Sequence, residues 1–355
     1  MEKKPKRIVL TGGGTAGHVI PHIALLPYLR QEKWELVYLG SNGIERELIG
    51  KSGIKFKTIA AGKLRRYFSL KNFSDLFKVA IGCIQSLFLL IWIKPNLVFS
   101  KGGFVSVPVT FAAWMLKIPV ITHESDQTPG LANRIILKFA KKILYSFPET
   151  AKHLPSEKAI YTGTPIRKEL FTGDRDRGFK VCGFSQESPK PVILVMGGSL
   201  GALKINQALK ECISTLVEEY RLVHITGKGK GIDFEHPDYK AFTFLGEELK
   251  DVFAITDFVI ARAGANSIFE FLALHKPMLL IPLEAGSRGD QILNANSFAK
   301  EGWAKVLREG ALSGDKLLKE MVDLRHTADE IKSRQKKLQR GNSTDTIIEI
   351  LRSEV

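Results

Sequence analysis

The chain has 355 residues, more than one core comfortably fills and enough for two domains of ordinary size. Its apolar share of 44% excludes a wholly disordered polymer. Three widely separated cysteines, Cys83, Cys182 and Cys212, speak against a disulfide framework or a paired-cysteine zinc site and point to a reduced, cytoplasmic setting. The net charge of +15 is uneven: residues 1–163 carry 24 Lys and Arg against 10 Asp and Glu, residues 164–355 carry 28 against 27, so the basic surface belongs to the first half. Such a field suits nucleic acid, anionic lipid or a polyphosphate.

The basic start MEKKPKR is followed too soon by glycines for a secretory leader, so a mature cytoplasmic start is expected. Short apolar runs then alternate with helical patterns. Ile8–Leu10, Glu35–Leu39, Leu97–Ser100, Val120–Thr122 and Lys142–Tyr145 read as buried parallel strands. The rhythm restarts at Val192–Met196, Arg221–Thr226, Ala241–Phe244, Phe258–Ala261 and Pro277–Pro282. This predicts an α/β protein of two doubly wound domains joined near Tyr161–Pro165, each opening with a strand, a glycine turn and a helix. A last helix, about Thr344–Arg352, has no strand after it, and its docking place is open.

The run Val79–Ile93 holds fifteen residues without a charge, between Lys78 and Lys94. A membrane span needs roughly 20 apolar residues, so the plainer reading is a buried core helix ended by Pro95. The other is a surface segment presenting Leu76, Phe77, Ile81, Phe88 and Trp92 to a bilayer. Lys63, Arg65, Arg66, Lys71 and Lys78 would then meet anionic headgroups at about 1 kcal/mol each.

The loops carry the chemistry. TGGGTAGHVIP, Thr11–Pro21, has the glycine spacing of a phosphate-binding turn, in which backbone N–H groups and the helix dipole face an anion. A nicotinamide enzyme needs an acid at the end of the second strand to hold the ribose; Gly40, Ser41 and Asn42 stand there instead. His18, at the start of the following helix, is either a general base facing a cleft, with Glu124 the weaker candidate for that role, or a capping and packing histidine. SKGGFVSVP (100–108), HESDQTPGLAN (123–133) and TGTPIR (162–167) collect at the same sheet edge.

In the second half GGSLG places Ser199 and backbone amides at a helix start. Ala261–Pro277 sets a small-residue turn before a helix bearing Glu270, either a ribose acceptor or an ordinary helix acid. Asp290 and Gln291 are suited to sugar hydroxyls. No DxD spacing stands in these loops to hold a divalent metal against a diphosphate, so amides and Arg167 would neutralise the leaving group. Neither a metal nor a cofactor is expected.

Taken in order, GGGTAGHVIP, SKGGFVSVP, HESDQTPGLANRI, YTGTPIR, MGGSLGA, ITDFVIARAGANSIFEFLALHKPMLLIPL and GDQILNA resemble the MurG family of glycosyltransferases. The resemblance implies a GT-B fold of two Rossmann-like domains with an interdomain cleft. Residues 1–163 would form an acceptor and membrane-facing domain, 164–339 a donor domain, with a helix at about 340–355 returning to the first. It implies inverting transfer of N-acetylglucosamine from UDP-GlcNAc to the 4-hydroxyl of the muramyl sugar of lipid I, forming lipid II. By motif match Thr15, Ala16 and Gly17 fall on the donor-contacting loop. Arg167 and Ser199 match diphosphate contacts, Leu245 the uracil-reading segment, Gln291 a sugar-hydroxyl contact. Ala265, Asn266, Ser267, Ile268, Phe269 and Glu270 match the nucleotide-sugar loop, with Glu270 on the ribose.

Two positions depart from the family pattern: Asp126 stands where some members have a sugar-contacting asparagine, and Ala16 replaces a common glycine. The implied partners are UDP-GlcNAc, lipid I and an anionic membrane surface on the cytoplasmic side, with the apolar strip (Phe77, Ile81, Phe88, Trp92) and Lys71 and Lys78 as the contact, and no nucleic acid. A same-fold UDP-sugar transferase acting on another glycolipid is the alternative. A nicotinamide oxidoreductase lacks its ribose acid, and a plain membrane or nucleic-acid binding module leaves the loops of the neutral half without a purpose.

Overall fold

The computed structural model describes residues 5–62, 70–198, 201–284, 289–338 and 343–355, with backbone only at 70–73. It divides into two units, Met1–Ile166 with Arg340–Val355, and Arg167–Gln339.

The first unit runs β1 (Arg7–Thr11), α1 (Ile20–Gln31), β2 (Glu35–Gly40), α2 (Ile44–Gly50), β3 (Lys55–Thr58), α3 (Leu70–Ile93), β4 (Leu97–Ser100), α4 (Ser106–Met115), β5 (Val120–Glu124), α5 (Leu131–Ile136), β6 (Lys142–Tyr145) and β7 (Ala159–Tyr161). The sheet is parallel throughout, in the order β3-β2-β1-β4-β5-β6-β7. Strand order reverses direction between β1 and β4, which opens the ligand crevice of a doubly wound sheet beyond those two carboxyl ends. Ile8, Leu10 and Phe99 point to one side of the sheet, Val9 and Val98 to the other, as strand alternation demands.

The last helix of the described chain, α13 (Ser343–Glu354), belongs here. Its Ile347, Ile348 and Leu351, one face of the helix, join Ile8, Leu10 and Leu25 in the core. Lys141 and Lys142 both pair with Glu354, at 2.7 and 2.8 Å.

The second unit runs α6 (Arg175–Cys182), β8 (Val192–Met196), α7 (Leu203–Glu219), β9 (Arg221–Ile225), β10 (Tyr239–Phe242), α8 (Leu249–Ile255), β11 (Phe258–Ala261), α9 (Ala265–Ala273), β12 (Met278–Leu280), α10 (Asp290–Lys300), β13 (Lys305–Val306), α11 (Gly314–His326) and α12 (Ala328–Lys337). Its parallel order β10-β9-β8-β11-β12-β13 has the same reversal, between β8 and β11. Ile205, Leu209, Cys212, Ile213 and Leu216 form the helical stripe by which α7 packs on Ile193, Val195 and Ile260.

The reading of 79–93 as a core helix is overturned. Ser74–Ile93 is long and apolar enough by composition to cross a bilayer, yet only 22% of its apolar window is buried. Leu90 and Ile93 anchor it among Val9, Val37, Val109 and Ala112, and Gly82 lets it lie on the Ala60 backbone. Phe77, Ile81, Phe88 and Trp92 stay outside, at 58, 49, 67 and 71% exposure. It is a docked helix with an uncovered apolar face.

Candidate functional site

Each unit carries a glycine turn at its own reversal point. In the first, the turn after β1 is pressed against the turn after β4. Gly14 and Gly103 have φ of +84° and +80°, which side chains rarely adopt; a Cβ on Gly14 would strike the Phe104 ring, and one on Gly103 would strike Gly13 O and lie 3.1 Å from His18 Nδ1. The turn is held from beneath. Glu45, fully buried on α2, accepts the N–H of Ser41 at 2.9 Å and of Gly14 at 3.2 Å, and the Tyr38 hydroxyl donates to Gly12 O at 2.8 Å.

His18 does not start a helix. It closes a short 3-10 turn, Ala16–His18, and α1 begins beyond it. The Thr15 hydroxyl lies 3.0 Å from His18 Nδ1. Thr15 and Gly17 are exposed, Ala16 and His18 half-buried.

Beneath this surface lies a network of which the sequence singled out only Glu124 and Asp126; Lys101, His123 and Asn133 were passed over. The ammonium of Lys101 contacts His123 Nδ1 and donates to Ser125 Oγ at 2.7 Å, and His123 Nε2 lies 2.8 Å from Gly163 O. Glu124 accepts from Asn133 Nδ2 and from the Asp126 N–H at 3.0 Å. Burial drives the Lys101 pKa down to about 7, with Glu124 and Asp126 drawing it back up. Burial likewise pushes Glu124 well above the usual carboxylate range, reinforced by Asp126 and opposed by Asn133. Asp126 is half-buried, and its carbonyl accepts from the Thr150 hydroxyl at 3.4 Å. A lysine directly behind an apolar strand was the available signal.

In the second unit the turn after β8 is built from Gly197, Gly198 and Gly201; at Gly201, with φ of +68°, a Cβ would strike Thr226 O. Ser199 lies outside the described residues, as do Lys63, Arg65, Arg66 and the side chain of Lys71. After β11, Gly264 precedes α9 without side-chain capping. Ala265, Ile268, Phe269 and Glu270 are buried, Asn266 and Ser267 half-buried. Leu245 is buried in the loop after β10.

Arg167 and Glu270, matched in sequence to different parts of a nucleotide sugar, are bound to each other, Nε to Oε1 at 2.8 Å and Nη2 to Oε2 at 3.0 Å. The carboxylate holds the guanidinium pKa above its ordinary value against the opposing effect of burial. Nearby supports were likewise not read from sequence. Arg262 reaches Glu309 and donates to Ile281 O at 3.1 Å, Lys204 pairs with Glu309 at 3.2 Å, and Asn294 donates to Ala263 O at 3.2 Å. Gln291 Oε1 accepts from the Leu283 N–H at 3.0 Å, and Asp290 opens α10. Among the described residues no three His, Cys, Asp or Glu side chains gather as metal ligands.

Models of the glycosyltransferase family 28 N-terminal and C-terminal domains match residues 8–145 and 192–350. A crystal structure of MurG from Acinetobacter baumannii is similar over 98% of this chain and 100% of its own, with a TM-score of 0.75 at 22% identity. Two parallel-sheet Rossmann-like domains with these matches define a glycosyltransferase of the GT-B type.

The UDP-N-acetylglucosamine--N-acetylmuramyl-(pentapeptide) pyrophosphoryl-undecaprenol N-acetylglucosamine transferase 2 of Bacillus anthracis is 50% identical over 97% of this chain and 98% of its own length. The corresponding transferase of Oceanobacillus iheyensis is 51% identical over 98% of both. The chain belongs to glycosyltransferase family 28, within its MurG enzymes.

Proposed function

We propose that this protein transfers N-acetylglucosamine from UDP-GlcNAc, with inversion, to the 4-hydroxyl of the N-acetylmuramyl residue of lipid I, forming lipid II. The observation that carries this is half identity over almost the full length of both chains to transferases of that name. The glycine turns at both reversal points support it, because glycine turns of this kind let a phosphate approach the backbone closely.

In this reading the first unit takes the acceptor and the second the UDP sugar. Thr15 fixes His18 Nδ1, and Nε2 takes the proton of the attacking hydroxyl. The hydroxyl oxygen bonds to the anomeric carbon as the bond to UDP breaks on the opposite face, which inverts the centre. Charge on the departing diphosphate is met by amides of the turn after β8, Ser199 and Arg167. Glu270, oriented by Arg167, accepts from the ribose; the Leu245 segment reads the base; Ala265–Phe269 and Gln291 complete the donor site, with Thr15, Ala16, Gly17, Asp126 and Asp290 near the sugar.

The lipid-borne acceptor requires the enzyme at a membrane. The exposed face of α3, with Lys78 and Lys71, serves as a peripheral contact with the anionic cytoplasmic leaflet. Transfer of labelled N-acetylglucosamine from its UDP sugar to a short-chain lipid I analogue, with and without EDTA, tests the reaction. Lipid-linked disaccharide in EDTA is the expected product. UDP binding without transfer would assign the fold to another glycolipid acceptor.

A further inference from the structure

The first unit buries a lysine at the carboxyl edge of its sheet that the reaction outlined above does not use. Lys101 is 1% exposed, follows β4, and donates its main-chain N–H to Thr11 O at 2.9 Å. Two residues on, Gly103 packs on Gly13 and His18.

An ammonium only donates, so His123 Nδ1 accepts from it. The ring therefore carries its proton on Nε2 and passes it to Gly163 O at 2.8 Å. Ser125 Oγ is the second acceptor, at 2.7 Å. The other titratable groups facing the ammonium are Glu124 and Asp126 from β5 and its loop, and His22 from α1. Taking an ion this far out of water is costly, and such a cation persists only where its partners are fixed.

We propose that Lys101 is a positioning residue for transfer to the acceptor: its buried ammonium locks the end of β5 and the loop after it, which carry Glu124, Ser125 and Asp126, against the glycine turns that hold His18. The inference rests on the reading of the first unit as the acceptor domain. Lys101 also keeps Glu124 closer to its ionised form than burial alone allows, so loss of the ammonium raises the Glu124 pKa further.

The test is the pH dependence of transfer to a lipid I analogue by Lys101→Met, which keeps the unbranched stem without charge, and by Lys101→Gln, which keeps an N–H donor without charge. UDP affinity, measured by calorimetry, stays at the wild-type value. The Met variant loses kcat by roughly tenfold or more near neutrality, as misplacement by about 1 Å does. Ionised Glu124 holds Asn133, whose Oδ1 accepts the Gly103 N–H at 3.2 Å beside His18, so in both variants the acidic limb of the profile moves to higher pH and activity recovers in alkali. An unmoved limb, or a loss equal at every pH with a lower Tm, makes Lys101 a structural residue alone and overturns the inference. A wild-type protein that forms no lipid-linked disaccharide overturns the acceptor reading and the inference with it.

Discussion

Arg167 grips Glu270 with two nitrogens, and through that grip the residue that begins the second unit orients a carboxylate on α9. The pair is planar and fork-shaped, which a lysine does not reproduce. Arg167→Lys is expected to raise the KM for UDP-GlcNAc roughly 10- to 100-fold, the equivalent of one lost hydrogen bond to a charged group. Arg167→Met also leaves the buried carboxylate without its cation, lowering stability by about 3 kcal/mol in urea unfolding. Unchanged KM in both variants would separate the pair from the donor site.

His18→Ala is expected to lower kcat by roughly 10²- to 10⁴-fold at saturating substrates, with melting unchanged. Near-normal turnover would reject the base assignment. Gly103→Ala reaches the same atoms by another route: the added Cβ meets Gly13 O and His18 Nδ1 from a strained backbone, at a cost of roughly 1–3 kcal/mol. Its stability and kcat are expected to fall together.

The exposed face of α3 predicts vesicle binding. Phe88→Ser with Trp92→Ser is expected to reduce co-sedimentation with anionic liposomes at least tenfold, since each large side chain contributes roughly 1.5–3 kcal/mol on burial. Transfer to a water-soluble acceptor analogue stays intact. Equal sedimentation of the wild type with neutral and anionic vesicles would remove the electrostatic share.

His224 is buried against the Tyr239 hydroxyl and Asn206 Oδ1, both at 3.0 Å, and burial lowers its pKa to about 4. Above the unfolded value of about 6.5 neither state binds the proton; between there and about 4 the unfolded chain takes one up that the native ring refuses. Stability therefore falls as pH falls through this window, by about 3 kcal/mol from this group. His224→Gln is expected to flatten that slope in urea titrations at pH 4–7; an identical slope would assign the loss to other groups.

The strands that flank the glycine turns were legible because parallel strands covered on both sides read as continuous apolar runs, as Val192–Met196 does. β3 escaped, since Lys55 and Lys57 face solvent on an edge strand, and β13 is two residues long. The loops that hold the candidate residues were visible as glycine clusters. Their supports were not: Glu45 looks like any acid in a first helical turn, and Lys101 meets partners 22 and 24 residues away. Hydrophobicity alone left the exposure of α3 open, because what covers a helix is decided by elements far along the chain.

The core of the first unit is closed by Ile347, Ile348 and Leu351, while the second unit is one continuous stretch from Arg167 to Gln339. A ribosome therefore releases every residue of the second unit before it releases the helix that seals the first. During synthesis the earlier-made half waits with Ile8, Leu10 and Leu25 uncapped on one side, and the later-made half is the first with all its parts at hand.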